Sequence, residues 1–390
     1  MTGIKVLYVY LGFYRDAGGE HTPLELAEDL DRERFNFEIV TLMPTTSRIG
    51  AAVRATGCPM HELGLGIPRM TDPMRMIKVI HALYRIFRRL KPDIVHTQSP
   101  FCNVWARLAA KLARVPVIVA TINFGGGPNP KWFMRPMMHA MHRWLATSTD
   151  AYVCVASHLV TDQLLASERD RAEIIHQFFD LPRFLAGRTH LPALRALRNP
   201  DRPVLGIVGR LEYEKGHCVA IAAMRKIVDT VPGAKLKIVG AGSLESELRD
   251  QVIALKLTDN VEFTGHRTEM CDVMSDLDLL MIPSRSEAFG LVVLESIAAG
   301  VPLVGSRSGA FPEILENGRY GALVDPFDPN AWAQAVIEFI ADPASALAKV
   351  KDARAAVLPR YTTRQSASRH ARLYLRLIEH TRSHSTTDLS

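Results

Sequence analysis

Short runs rich in Val and Ile alternate along the chain with segments whose apolar residues recur at helical spacing. Runs that are apolar on both faces are typical of strands in a parallel sheet covered by helices on each side. In the first half these runs are residues 4–10, 35–42, 93–98, 116–122, 151–156 and 173–177. In the second half they are residues 203–209, 234–240, 260–265, 278–283, 301–305 and 321–325.

The alternation fails between the two sets of runs, where residues 180–203 hold four prolines without a clean period. The pattern predicts two doubly wound, Rossmann-like α/β domains facing a central cleft. The predicted parts are a first domain at 1–180, a linker at 181–202 with a short helix, a second domain at 203–360, a C-terminal helix at 361–381 and a tail at 382–390. Because ligands of open parallel sheets bind beyond the carboxyl ends of the strands, we expect the site in the cleft.

Composition and cysteine usage narrow the class of protein. The 390 residues are 47% hydrophobic and 23% charged, as in an ordinary globular protein. The first residues do not have the pattern of a signal peptide, and no run of about 18 uninterrupted apolar residues occurs. The five cysteines are scattered without metal-binding spacing. We therefore expect a cytoplasmic protein with reduced cysteines.

Charge is distributed unevenly. Residues 1–200 hold 25 Lys and Arg against 17 Asp and Glu, a net charge of +8, and most of this excess lies in 51–149. Residues 201–390 hold 22 against 24, a net charge of −2. The asymmetry indicates an anionic partner for the first half. A nucleic acid fits poorly, because no recognition motif or basic loop interleaved with aromatics is present.

Two glycine-containing loops follow predicted strands. Gly18 and Gly19 precede a helix, where backbone N–H groups can approach an anion; the alternative, which the pair by itself favours, is a tight turn. The pattern is not GxGxxG, which disfavours a dinucleotide oxidoreductase. In GRLEYEKG, Arg210 and Lys215 lie between Gly209 and Gly216 and form a candidate diphosphate site, with a solvated basic loop as the alternative.

The segment SEAFGLVVLESIAAG carries Glu287 and Glu295 around an apolar run. In a continuous helix the two glutamates would lie about 12 Å apart along the axis. The carboxylate pairs of glycosidases lie about 5–9.5 Å apart, so a hydrolase pair is disfavoured. The pattern favours two acceptors on one extended ligand, with the N-terminus of the helix between them facing a diphosphate. The alternative is a helix whose ends face water. Farther upstream, Ser243 is expected to cap the helix that follows Gly242.

Five segments together resemble the retaining glycosyltransferases of family 4, which have the GT-B fold. They are GRLEYEKG, IVGAGSLESEL, VEFTGH, PSRSEAFGLVVLESIAAGVPLVGS and FPEILENGRYGALVDPFDP. The resemblance implies transfer of a sugar, with retention, from a nucleotide diphosphate-sugar, which we expect to be a UDP-sugar. It implies no metal and no other cofactor. It also implies that the C-terminal helix crosses back to the first domain.

The resemblance assigns roles residue by residue. Arg210 and Lys215 would hold the diphosphate and, with Glu287 on the donor sugar, form the catalytic set; Glu295 would bind the ribose. The remaining donor-binding residues would be Gly18, Gly19, Gly209, Gly265, Arg267, Phe289, Gly290 and Leu291, with the base near Gly265 to Arg267. His96 and Asn123 are candidate acceptor-side residues. His96 lies where relatives often show H-x-H, and Asn123 takes the place of a further histidine that many relatives have.

Two basic amphipathic segments, 73–92 and 131–148, are candidates for peripheral association with the inner face of the membrane. In the first, the apolar face predicted from spacing holds Ile77, Ile80, Leu83, Tyr84 and Phe87, and the basic face holds Arg75, Lys78, Arg85 and Arg89. The alternative is that both segments pack on the sheet. If they meet lipid, we expect a sugar or lipid-linked acceptor in the biosynthesis of a surface polysaccharide, lipid-linked glycan or glycoconjugate.

Two other functions stay open. A nucleotide-sugar epimerase of GT-B build would need acid–base residues that the sequence does not identify, and C2-epimerised sugar in the products would reveal it. A non-catalytic nucleotide-sugar sensor would bind the donor without hydrolysing or transferring it.

Overall fold

The computed structural model describes residues 3–14, 18–66, 72–123, 140, 143–186, 188–194 and 197–387. Most of the segment 131–148 therefore lies outside the described residues. The chain divides into two compact units, one formed by Met1–Gln177 with Thr363–Ser390 and the other by Phe178–Thr362. Each unit is an α/β domain on a parallel sheet, which confirms the predicted fold class.

The sheet of the first unit has seven parallel strands in the order β3-β2-β1-β4-β5-β6-β7. The strands are β1 Ile4–Tyr10, β2 Phe35–Thr41, β3 Met60–Glu62, β4 Ile94–Gln98, β5 Val117–Ile122, β6 Ala151–Cys154 and β7 Ala172–Ile174. Strand order reverses between β1 and β4, where Tyr8 pairs with His96. Loops that leave this point in opposite directions open a crevice at the carboxyl ends of the strands.

Helices cover both faces of this sheet. They are α1 His21–Asp29, α2 Arg48–Ala55, α3 Pro73–Leu90, α4 Cys102–Ala113 and α5 His158–Gln163, with 3-10 turns at Gly18–Glu20 and Ala166–Arg171. The helix Thr363–Thr387, called α14 below, belongs to this unit and buries Ala367, Leu373, Tyr374 and Ile378 in its core.

The sheet of the second unit has six parallel strands in the order β10-β9-β8-β11-β12-β13. They are β8 Val204–Val208, β9 Lys235–Val239, β10 Val261–Gly265, β11 Leu279–Ile282, β12 Leu303–Ser306 and β13 Ala322–Val324. All six coincide with predicted runs. Strand order reverses between β8 and β11, which places the loops after these two strands side by side.

The helices of the second unit follow its strands. They are α6 Leu181–Leu185, α7 His217–Thr230, α8 Glu245–Ala254, α9 Met270–Ser275, α10 Leu291–Ala299, α11 Phe311–Ile314, α12 Pro329–Ala341 and α13 Pro343–Ala356. Three 3-10 turns lie at Tyr213–Lys215, Glu316–Gly318 and Leu358–Arg360. Helices α7 and α12 pack on one face of the sheet around the buried Met224, Ile227 and Trp332.

Three sequence expectations differ from the structure. Strand β3 was not predicted, because Met60–Glu62 is a short edge strand without a β-branched residue. Ser243 does not cap α8: Leu244 is the N-cap residue, and the Ser243 hydroxyl donates to Glu212 instead. On α3, spacing placed Ile77 and Tyr84 on the apolar face, but they are 59% and 36% exposed, because Val79, Leu83, Ile86 and Phe87 face the core.

Among the described residues, no helix combines the length and the hydropathy needed to cross a bilayer.

Candidate functional site

An ion pair joins the two loops at the reversal of strand order in the second unit. Lys215, in the loop after β8, donates from Nζ to Glu287 Oε2 over 2.5 Å, and Glu287 lies in the loop after β11. The backbone N–H of Arg285 also donates to the carbonyl of Glu214 over 2.8 Å. The side chains of Lys215 and Glu287 are 22% and 14% exposed, so the pair is partly shielded from solvent. The fold therefore brings together two residues that are 72 positions apart.

Glycine is required where these two loops meet. Gly216 has φ +68°, and a Cβ added there would come within 2.0 Å of the carbonyl oxygen of Pro283. A residue with a side chain would therefore push the Lys215 loop away from the Glu287 loop.

Arg210 supplies a second cation on the same loop. Its Nη2 donates to Glu214 Oε1 over 2.7 Å, and its side chain is 59% exposed. Gly209 adjoins the lysine, since a Cβ added there would lie 3.8 Å from Lys215 Cδ. The loop therefore presents two cations, each paired with a carboxylate of the protein in this structure.

Three serines that the sequence analysis did not single out support Glu287. The hydroxyl of Ser284 lies 3.4 Å from Glu287 Oε2. The hydroxyls of Ser306 and Ser308 both donate to the carbonyl of Ser284, over 2.5 and 2.7 Å. The segment VGSRSG, which spans the end of β12, could have indicated them, since hydroxyls at the end of a neighbouring strand lie close to this loop.

Helix α10 begins directly after the Glu287 loop. Gly290, at its N-cap, has φ +88°, and a Cβ there would come within 2.3 Å of Phe311 Cε1. Phe289 is buried and meets the ring of Tyr361 edge to face at 5.3 Å, which anchors the loop to the unit's core. Leu291 is the first helical residue. The first N–H groups of a helix have no partner within it, so this end of α10 favours a negatively charged ligand.

Glu295 lies one turn farther along α10. Burial raises the pKa of its carboxyl from an ordinary value of 4.5 to about 7. The residue is half-buried, and no hydrogen bond or ion pair of its carboxylate occurs within the described part of the chain. A shielded acceptor of this kind is suited to hydroxyl donors of a ligand, because their hydrogen bonds would compensate for the lost hydration.

His217, the first residue of α7, was not predicted. It is 2% exposed, and neither of its ring nitrogens has a hydrogen-bond partner among the described residues. Burial and the adjacent Lys215 lower its pKa to about 4, so the imidazole is neutral beside the lysine.

The loop after β10 lies at the edge of this sheet. The backbone N–H of Gly240 donates to the carbonyl of Gly265 over 2.9 Å, which ties the chain after β9 to the end of β10. Arg267 is exposed. Its position leaves the guanidinium accessible to a ligand.

In the first unit, the diglycine turn rests on the ends of β4 and β5. The side chain of Gln98 accepts a hydrogen bond from the Tyr8 hydroxyl over 2.5 Å and donates to the carbonyl of Gly19 over 2.9 Å. A Cβ at Gly19 would lie 3.2 Å from Asn123 Nδ2. The turn that begins at Gly18 is therefore held next to two strand-end amides.

His96 lies within the core of the first unit. Its Nδ1 is 2.6 Å from the Tyr374 hydroxyl, and its Nε2 is 2.7 Å from Thr121 Oγ1. Burial and the neighbouring His370 keep the pKa of His96 well below its ordinary range. A neutral, fully buried imidazole whose two nitrogens both have hydrogen-bond partners is suited to support the sheet. Direct contact between this side chain and an acceptor stays a prediction.

Within the described ranges, no group of three or more His, Cys, Asp and Glu side chains is arranged to hold a metal ion.

Two family models match the chain. The model described as glycosyl transferases group 1 matches residues 195–356. The model described as glycosyl transferase 4-like domain matches residues 17–176.

Individual proteins are similar over most of the chain. Glycogen synthase of Mycobacterium tuberculosis is 30% identical over 342 residues, covering 84% of this chain and 80% of that protein. The lipopolysaccharide core biosynthesis mannosyltransferase LpcC of Rhizobium leguminosarum bv. viciae is 28% identical, with coverage of 88% and 93%. The crystal structure of Anabaena Alr3699/HepE in complex with UDP and glucose matches with a TM-score of 0.74 at 19% identity, covering 95% and 99% of the two chains.

Proposed function

The chain belongs to the glycosyl transferases group 1, and from this membership we propose that its second unit binds a UDP-sugar through the loops after β8 and β11. The protein is a glycosyltransferase with a GT-B fold. The proposal concerns the donor, the residues that bind it, and the acceptor. Retention of the anomeric configuration is part of the same proposal.

The observation that carries the proposal is the contact between Lys215 and Glu287. It brings a cation suited to a diphosphate next to a carboxylate suited to sugar hydroxyls, beside the start of α10. In a diphosphate-sugar the phosphates and the sugar hydroxyls are adjacent, so the cation and the carboxylate that bind them must also be adjacent. Glu295, inside α10, supplies a further acceptor for the ribose hydroxyls. The bound UDP and glucose of Alr3699/HepE support a uridine nucleotide as the donor's leaving group.

Charge stabilisation is the proposed source of catalysis. As the bond between sugar and diphosphate breaks, negative charge grows on the leaving phosphate. Arg210, Lys215 and the N-terminal end of α10 stabilise that charge without reorganising in the transition state. We propose that a phosphate oxygen of the donor accepts the proton of the acceptor hydroxyl, so that no protein base is needed.

The same cations make a bound metal unnecessary in the proposed reaction. We expect full activity after treatment with EDTA and dialysis, measured as UDP release. A loss of activity that Mg²⁺ or Mn²⁺ restores would contradict this part of the proposal.

Thermal unfolding with UDP, GDP and ADP tests the donor site. A ligand at about 100 times its Kd stabilises the folded state by about 2.7 kcal/mol, which gives a shift of several degrees. We expect a shift with UDP that is lost in Lys215→Ala. The matched control is Lys226→Ala, which removes an exposed lysine from the middle of α7. A shift with GDP or ADP alone would reassign the base, and a UDP shift retained in Lys215→Ala would place the diphosphate elsewhere.

The two alternative functions are not favoured, because the reported relatives are named as a synthase and a transferase. Product analysis distinguishes all three. A transferase forms a new glycoside, an epimerase returns a free epimerised sugar or nucleotide sugar, and a sensor leaves the donor unchanged.

We also propose a lipid-linked or polysaccharide acceptor at an anionic membrane surface. On α3 the exposed Met74 and Ile77 lie beside the exposed Lys78 and Arg85. Arg75 is not part of this surface, since its guanidinium donates twice to the carbonyl of Leu65. Apolar and basic side chains on one outward face are typical of helices that bind anionic lipid. The similarity to LpcC, a mannosyltransferase of lipopolysaccharide core biosynthesis, supports an acceptor of this kind.

Vesicle co-sedimentation tests this surface. We expect binding to phosphatidylcholine vesicles only when they contain phosphatidylserine, and several-fold weaker binding for Lys78→Glu. The control, Lys226→Glu, makes the same charge reversal on the second unit. Equal binding of both variants would contradict the assignment to α3.

A further inference from the structure

In the proposed diphosphate site, a carboxylate of the protein already binds one of the two cations. Glu214 Oε1 accepts from Arg210 Nη2 over 2.7 Å, and the two residues are four positions apart in the loop after β8. The guanidinium is held at one nitrogen rather than in a bidentate pair, and it is 59% exposed. Such an exposed pair is weak, so a multiply charged ligand can replace the carboxylate.

Glu214 is nevertheless held in place by its backbone. It lies in the 3-10 turn Tyr213–Lys215, and its carbonyl accepts from the backbone N–H of Arg285. The guanidinium of Arg285 stacks on the ring of Tyr213, with 4.0 Å to the ring centroid. The loop therefore presents the Glu214 carboxylate at a defined position next to the two cations.

We propose that Glu214 competes with the nucleoside diphosphate for Arg210 and thereby sets the affinity of the site. The inference rests on the proposed role of Arg210. In the free enzyme the carboxylate neutralises the guanidinium. When the ligand binds, Arg210 transfers to a phosphate oxygen, and the ligand must overcome both the lost pair and the repulsion from Glu214. When the nucleotide leaves, the pair re-forms, which favours release of the product.

Glu214→Gln tests this directly, because it keeps the size of the side chain and removes its charge. Isothermal titration with UDP should give a Kd about two- to five-fold lower than for the native protein. Product inhibition by UDP should strengthen by the same factor. The gain should shrink as ionic strength rises, because the charges are largely exposed.

The chain offers a matched control. Arg225 and Asp229 form an ion pair of the same order and spacing, with 2.6 Å between Nη2 and Oδ1. They lie toward the C-terminal end of α7, away from the loop that precedes the helix. Asp229→Asn removes one negative charge from the same unit, and it should leave the Kd for UDP unchanged.

A double-mutant cycle with Arg210→Ala distinguishes the competition by Glu214 from the proposed role of Arg210 in binding the diphosphate. Arg210→Ala should weaken UDP binding, and Glu214→Gln should give a smaller gain in its presence. If Arg210→Ala leaves the Kd unchanged, the proposed role of Arg210 is wrong and the inference is wrong with it. If Arg210→Ala weakens binding but Glu214→Gln weakens it too, Glu214 positions Arg210 instead of competing for it. An unchanged Kd in Glu214→Gln likewise overturns the competition.

Discussion

At the scale of single residues, burial decides the charge state of Glu295. This half-buried carboxylate in α10 has no partner among the described residues, so it loses part of its hydration and gains no hydrogen bond in return. Its pKa of about 7 means that the folded protein holds a proton there which the unfolded chain releases near pH 4.5. The free energy of unfolding therefore falls as the pH rises between these two values, and the loss is complete above pH 7.

Replacement of this carboxyl by an amide should remove that dependence. We expect Glu295→Gln to be more stable than the native protein at pH 8. The difference in unfolding free energy should widen by about 2 kcal/mol between pH 5 and pH 8. Urea denaturation of both proteins at the two pH values measures it. A constant difference would mean that Glu295 is ionised in the folded protein throughout this range.

The same substitution, which should stabilise the protein at pH 8, should weaken its binding of UDP there. Since an ionised carboxylate accepts ribose hydroxyls better than an amide does, the native affinity for UDP should rise from pH 6 to pH 8 relative to that of Glu295→Gln. Titration of both proteins with UDP at each pH tests this. Equal pH dependence would assign the effect to the phosphates of UDP.

The backbone conformation and the close packing at Gly290 restrict this position to glycine. Gly290→Ala would combine φ +88° with a Cβ only 2.3 Å from Phe311 Cε1, so we expect a loss of about 1–3 kcal/mol in stability. Gly265 has a similar φ of +71° but nothing within 4 Å of an added Cβ. Gly265→Ala should therefore cost less, and thermal unfolding compares the two. Equal losses would mean that φ alone sets the cost.

At the scale of elements, helix α14 completes the core of the first unit. Its Tyr374 is buried and bonds His96 on β4, and burial raises the pKa of the tyrosine far above its ordinary range. The hydroxyl is therefore a permanent partner for an imidazole that has no access to water. This contact joins the C-terminal helix to a strand 278 positions earlier in the sequence.

Removal of that hydroxyl should cost stability. Tyr374→Phe would leave His96 Nδ1 buried without its partner, and we expect a loss of about 1–3 kcal/mol. Arg372→Ala on the same helix removes an exposed bond to Ser368 and should cost less than about 0.5 kcal/mol. Urea denaturation measures both variants. A loss below that of Arg372→Ala would show that His96 finds another partner.

At the scale of the whole molecule, the second unit contains almost all of the proposed donor site. We expect a fragment of residues 178–362 to fold alone, because this unit has its own core and sheet. The fragment should bind UDP with a loss of no more than about 1 kcal/mol, and it should transfer no sugar. Circular dichroism and titration test this, with Lys215→Ala in the same fragment as the control. A folded fragment that does not bind UDP would mean that the first unit provides essential contacts.

The sequence by itself determined the two parallel sheets and the loops that carry the candidate site. Strands that are apolar on both faces must be covered on both sides, and GRLEYEKG and SEAFG lie in the loops that follow two such strands. The local sequence pattern was less informative for a short strand and for a helix in which an exposed residue also fits the apolar period. Met60–Glu62 has no β-branched residue, and Ile77 satisfies the helical period without facing the core.

Tertiary structure alone decided which groups meet and in what charge state. Lys215 contacts Glu287 because the sheet reverses its strand order between β8 and β11, a long-range pairing that no local pattern contains. Ser243 bonds to Glu212, and His96 is enclosed by α14, through contacts between residues 31 and 278 positions apart. The pKa of Glu295 depends on how much water the surrounding elements exclude, and that is a property of packing rather than of composition.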